Sequence, residues 1–168
     1  MTRTLFTLIG TLSCLLQPAA AASPSALLAQ LEGEWRSDGP AFGGAAESAM
    51  VWAQALKDKF YRLDYRVAVT REDGASFTFE GVAHYQLGEG ETLSAYWADN
   101  SGDLHPIRAE RDGDALVALW GVEGAKQGRT RYQLLPSGEI EVTDWIKTKD
   151  GWRQFNQNRF MRIVEKSD

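Results

Sequence analysis

Three groups of side chains in this sequence have the chemistry to engage a small molecule. His105 is the sharpest single residue: strand register sets it between Trp97 and Trp120, where an imidazole could orient a ligand, donate a proton or ligate haem. The bland reading is a hydrogen-bonded histidine beside a turn at the mouth of a barrel. A second group is Asp144, Gln157 and Arg159, which pairing of the last strands brings together on an inner face. A buried carboxylate and guanidinium must pair, and their spare hydrogen-bonding capacity can turn toward a ligand; the same residues could equally form an internal salt bridge that fixes register. The third group is aromatic. Trp52, Tyr61, Tyr65, Tyr85, Trp97, Trp120 and Tyr132 share one face of successive strands, a spacing that usually means core. A barrel of about ten strands is wider than one whose side chains just fill it, so some of these rings should line a cavity.

Signatures of other chemistries are absent. There is no G-x-S-x-G elbow, GEGETLS lacks the lysine of a P-loop, and DNSGD is too short and acid-poor for an EF-hand loop. His84 and His105 fall on opposite faces, and no acid stands at ligand spacing with either, so no metal site is expected. The remaining enzymatic reading is an acid or base, His105 or Asp144, working inside a barrel cavity.

The elements that would hold these residues are strands. Turn signals recur roughly every 10 to 15 residues from Lys57-Asp58 to Asp150-Gly151, including Asp73-Gly74, Ser101-Gly102, Asp112-Gly113 and Ser137-Gly138, which is the punctuation of an antiparallel meander. A slip of one residue would send every side chain to the other face, so the register is set by bringing apolar faces together. A two-residue turn at Lys57-Asp58 sets Met50, Trp52 and Gln54 against Tyr65, Leu63 and Tyr61. Loops of three residues with glycine then oppose Tyr65 to Gly81, Leu63 to Ala83, and Ala83 to Trp97, small against large. The reverse face pairs Arg66 with Glu80 and Arg62 with His84, as a solvated surface should. Further on, His105 lies beside Trp97, and a turn at Asp112-Gly113 sets Trp120 opposite His105. Tyr132 opposes Val142, and Thr130 opposes Asp144. Across Asp150-Gly151, Asp144 and Val142 oppose Gln157 and Arg159. The fold class is therefore all-β, an antiparallel up-and-down barrel of about ten strands. A short helix at Ser25 to Glu32, capped by Ser23 and ended by Gly33, should plug one end.

The chain of 168 residues opens with a targeting signature: Arg3, an apolar run from Leu5 to Leu16, and small residues at Ala20-Ala21-Ala22. Residues 1–22 read as a signal peptide and 23–168 as one barrel domain, periplasmic or secreted. The apolar run falls short of the roughly 20 residues that span a bilayer, so no retained transmembrane anchor is expected. Cleavage removes Arg3 and the single cysteine, Cys14, leaving 17 of the 18 basic side chains against 23 acidic ones, a charge of −6. A thiol-free, acidic, exported domain has no disulfide and no cysteine nucleophile, and its charge argues against nucleic acid as a partner.

GEW after a short helix, about ten strands, a Trp-Ala-Asp-Asn-Ser-Gly turn and a last strand ending in Arg resemble the bacterial exported lipocalin-like domains of unknown function in the calycin group. The likeness covers nearly all of residues 23–168. It implies that Trp35 packs at the closed end under an arginine of the last strand, Arg159 or Arg162, as a structural pairing. A more distant likeness is to nitrobindin-type haem barrels, which carry GxWxGxG and a histidine ligand on a late strand. Here the opening reads GEWRSDG and no histidine follows His105, so haem is disfavoured and no cofactor is expected. The expected partner is a small apolar or amphipathic molecule, held by Tyr65, Tyr85, Trp97, His105, Trp120, Tyr132, Asp144, Gln157 and Arg159.

Overall fold

The computed structural model describes residues 23–164; the expected signal peptide at residues 1–22, with Cys14, lies outside the described residues. Its first element is helix α1 (Pro24–Leu31), for which Ser23 is the N-cap and its hydroxyl accepts from the Ala26 amide at 3.2 Å. Pro24 occupies the first turn, where its missing amide proton costs nothing. The helix is short for independent stability, so packing must hold it. Leu27, Leu28 and Leu31 are buried in one cluster with Trp35, Trp52, Leu93, Leu116 and Phe160, and the Ser25 hydroxyl donates to Gly88 O at 2.7 Å.

Ten strands follow: β1 (Gly33–Ser37), β2 (Ala45–Ala55), β3 (Phe60–Thr70), β4 (Ser76–Gln86), β5 (Thr92–Asp99), β6 (Leu104–Asp112), β7 (Ala115–Gly121), β8 (Gln127–Leu134), β9 (Ile140–Thr148) and β10 (Gly151–Arg162). Each pairs antiparallel with its neighbours in sequence, and β1 pairs with β10, so the sheet is a closed up-and-down barrel. Closure removes the free edges that an open sheet would expose. The helix packs on β5, β6 and β7 at one end, the closed end. Among the described residues, no helix is long and apolar enough to cross a membrane.

The first half of the barrel has the register that alternation and small-against-large pairing require. Met50, Trp52 and Gln54 oppose Tyr65, Leu63 and Tyr61; Tyr65 opposes Gly81; Ala83 lies between Leu63 and Trp97. The β2–β3 connection has four residues, 56–59, rather than two, with Leu56, Lys57 and Asp58 at positive φ, but the pairing is unchanged. Arg66–Glu80 and Arg62–His84 fall on the outer face, where His84 stacks on Tyr96 at 5.2 Å.

Two later registers differ from expectation. The β6–β7 hairpin turns at Gly113-Asp114, because Asp112 pairs with Ala115; the shift is two residues, so faces are kept while Trp120 moves from opposite His105 to opposite Ile107. The β9–β10 hairpin turns at Lys149-Asp150, and β10 then carries a bulge between Gln154 and Asn156. Past the bulge Asn156 opposes Asp144 and Asn158 opposes Val142, one residue off the expected register, so inner and outer faces are exchanged. Gln157 and Arg159 consequently point outward. Arg159 meets Glu141 at 3.4 Å and Gln157 accepts from Gln154, both exposed.

Candidate functional site

Large side chains fill the barrel at the helix end and leave it hollow at the other. Trp52 packs between Tyr85 and Tyr132, at ring distances of 5.5 and 5.2 Å, and with Tyr61, Leu63 and Phe160 forms a solid floor. Above it a cavity of about 730 Å³ opens toward the β1–β2, β3–β4, β5–β6 and β7–β8 loops. That volume lies within the roughly 300–1,000 Å³ of ordinary small-molecule sites.

The cavity stays open because two large rings lie where neighbouring strands carry no side chain. Trp97 covers Gly81 and Trp120 covers Gly128, and a β-carbon at either glycine would collide with the indole. Each indole N–H is also tied to the wall: Trp97 Nε1 donates to Asp99 Oδ2 at 2.9 Å, and Trp120 Nε1 to Thr130 Oγ1 at 3.3 Å. Fixed at both ends, the rings cannot easily fold inward. Phe79 stacks on Trp97 at 6.2 Å, and Phe42 from the β1–β2 loop meets Phe79 at 5.1 Å, extending the apolar wall to the mouth.

Polar groups interrupt this surface at the rim and, away from it, in a cluster centred on Asp144 of β9. Thr130 Oγ1 donates to Asp144 Oδ1 at 2.6 Å, and Asn156 Nδ2 donates to Oδ2 at 2.8 Å. Asn158 Nδ2 in turn donates to Asn156 Oδ1 at 3.0 Å and to Pro40 O at 3.1 Å. The chain of donors runs from both sides toward the carboxylate. Asp144 is surrounded by barrel wall, yet part of its surface faces the cavity. Its desolvation pushes the carboxyl pKa up, against the opposite pull of the Asn156 and Thr130 hydrogen bonds. Burial likewise pushes up the phenols of Tyr65, Tyr85 and Tyr132, and the negative charge of Asp144 adds to the rise in all three. These tyrosines therefore stay neutral and share the space in front of the carboxylate.

His105 sits higher, near the mouth. Its ring is 5.5 Å from that of Trp120, and its Nε2 is 3.5 Å from Asp103 Oδ2, which also binds Lys126. The Lys126 ammonium holds the Asp103 carboxyl below its usual range. The imidazole is thus anchored to the rim. Among the described residues, no group of three or more His, Cys, Asp or Glu side chains could hold a metal ion.

Of the residues singled out in the sequence, Tyr65, Tyr85, Trp97, His105, Trp120, Tyr132 and Asp144 all line this cavity. Gln157 and Arg159 do not; Asn156 and Asn158 occupy the inner positions assigned to them. The register had already set Thr130 opposite Asp144, but its hydrogen bond makes it part of the site. Phe42, Arg153 and Lys126 at the mouth were not anticipated. A signal for the last strand was present in its arginines: if Arg162 is the one over Trp35, then Phe160, Asn158 and Asn156 share its face by alternation.

The ten-stranded closed antiparallel barrel, plugged by a helix and hollow at the far end, agrees with a lipocalin-like fold. Compared with protein-family models and with curated proteins, the chain matches none.

Proposed function

We propose that this chain is an exported lipocalin-like protein that binds one small apolar or amphipathic molecule in the open end of its barrel. The observation that carries this reading is the cavity itself: about 730 Å³ of space, walled by aromatic and aliphatic side chains, with a convergent polar cluster at Asp144 and a second polar group, Asp103, His105 and Lys126, at the rim. That combination of an apolar body and few placed polar groups is what small-ligand sites share. The glycines under Trp97 and Trp120 support it further, since a purely structural barrel gains nothing from rings held back from its centre.

Titration with the neutral fluorophore N-phenyl-1-naphthylamine tests the reading. Saturable fluorescence enhancement, weakened by Trp97→Ala in a protein that still melts cooperatively, is the expected result. Absence of any enhancement in the wild type would leave the barrel a structural domain. Titration with hemin separates the haem reading: a Soret band that disappears in His105→Ala would replace the apolar ligand by haem.

A further inference from the structure

We propose that the ligand carries a cationic nitrogen, which pairs with Asp144 within the aromatic wall. The inference rests on the binding reading above and specifies the chemistry of the bound molecule.

Both oxygens of Asp144 accept hydrogen bonds. The Thr130 hydroxyl accepts the Trp120 N–H and donates its own proton to Asp144 Oδ1. The Asn156 carbonyl already accepts from Asn158, which turns the Asn156 amide N–H toward Oδ2. Both carboxylate oxygens therefore face a committed donor, the arrangement that suits an anion. An ionised carboxylate has about four acceptor sites, so lone pairs remain for a further donor.

No cation among the described residues supplies that donor. Among the described residues, Asp144 makes no ion pair with any Lys, Arg or His. Lys126 and His105, two basic groups at the rim, are both engaged with Asp103. Arg153 lines the mouth but is exposed to solvent. A desolvated carboxylate without a counter-charge is expensive, and the open side of Asp144 is the cavity. A cation entering from there would find its charge partner directly, and the electron-rich rings of Tyr65, Trp97, Trp120 and Tyr132 around it. An anion would meet the repulsion of Asp144, with the solvent-exposed Arg153 at the mouth as its one uncommitted positive group among the described lining residues.

Three naphthyl compounds with one apolar body decide the matter: 2-(2-naphthyl)ethylamine, 2-(2-naphthyl)ethanol and 2-naphthylacetate, measured by calorimetry at neutral pH on wild type and on the near-isosteric Asp144→Asn. The amine should bind wild type at least about tenfold more tightly than the alcohol, with the acetate weakest. In Asp144→Asn the amine should lose its advantage and bind no more tightly than the alcohol. An alcohol that binds wild type as tightly as the amine overturns the proposal, as does an amine preference that survives in the variant. The wild-type comparison does not depend on how the variant folds. If N-phenyl-1-naphthylamine binds without any amine preference in the series, the cation fails and the binding cavity stands. If neither it nor any naphthyl compound binds, both fail.

Discussion

The Arg162 guanidinium lies 4.2 Å from the centre of the Trp35 ring and donates to Glu32 O at 2.6 Å. Trp35 Nε1 in turn donates to Leu31 O at 2.8 Å, so the end of the last strand and the start of the first both hold the C-terminus of α1. Gly33 is required beneath this contact: its φ is +125°, and a β-carbon there would strike Arg162. The Gly-x-Trp of the sequence is thus a helix terminus, an arginine platform and a buried ring in three residues. It is also remote from the cavity.

Trp35 is fully buried, and Trp35→Ala should therefore destabilise the protein by about 3–5 kcal/mol, as large core truncations do. Urea denaturation measures this. Probe affinity, corrected for the folded fraction, should be unchanged; a stable variant with altered affinity would mean that Trp35 reaches the ligand.

Gly128→Ala should push the Trp120 ring off the wall and into the cavity. Overpacking of this kind costs about 1–3 kcal/mol, and the intruding indole should cut N-phenyl-1-naphthylamine affinity by roughly tenfold or more. Adding Trp120→Leu to the glycine variant should recover the lost stability, because the clash is removed with the ring. Equal destabilisation by Gly128→Ala with and without the indole would show that the strain is in the backbone.

The raised pKa of Asp144 makes stability depend on pH in a definite direction. The fold holds the Asp144 proton more tightly than the unfolded chain does, whose carboxyl titrates near 3.8. The resulting stabilisation is complete below that value and is lost as pH rises through the folded pKa. Thr130 and Asn156, which touch the carboxylate, do not titrate, and the neighbouring phenols of Tyr65, Tyr85 and Tyr132 are held higher still. Asp144→Asn removes this dependence, so its melting temperature relative to wild type should climb between about pH 4 and neutrality. A difference that stays flat or falls over that range contradicts the assignment. With the naphthylethylamine bound, wild type should regain stability at neutral pH by mass action.

Export predicts a mature N-terminus within a few residues of Ser23. Intact mass of protein recovered from the cell envelope checks this. Retention of Arg3, or a diacylglyceryl adduct on Cys14, would contradict it.

Where strands alternate cleanly, the sequence contained both the register and the residues that line the cavity. Small residues set opposite large ones, Gly81 by Tyr65 and Ala83 by Trp97, admit one pairing, so Tyr65, Trp97 and His105 could be assigned to the inner face from spacing alone. Thr130 against Asp144 followed from the same logic. The last strand resisted it because a bulge is decided by the closing geometry of the barrel and leaves no mark in composition. Met161 there looks like an inward apolar residue, yet it is 58% exposed while Phe160 is buried; Phe155, at the bulge, lines the cavity but is half exposed. The mouth was illegible for a different reason. Phe42 sits at positive φ in the β1–β2 connection and reaches Phe79 of β4, a contact that no strand periodicity encodes.

The joint between β1 and β10 has consequences for how the vessel could come apart. Its ladder is short, with Trp35 paired to Arg162 and Arg36 to Met161, and Ile163 N donating to Glu34 O at 2.8 Å just beyond. The same two residues, Trp35 and Arg162, fasten the stopper formed by α1. Unzipping the wall should therefore loosen the C-terminal end of the stopper, which Ser25 and the leucines of α1 still hold to β5, β6 and β7. Amide protons of β1 and of the last turn of α1 should then exchange with deuterium at similar rates.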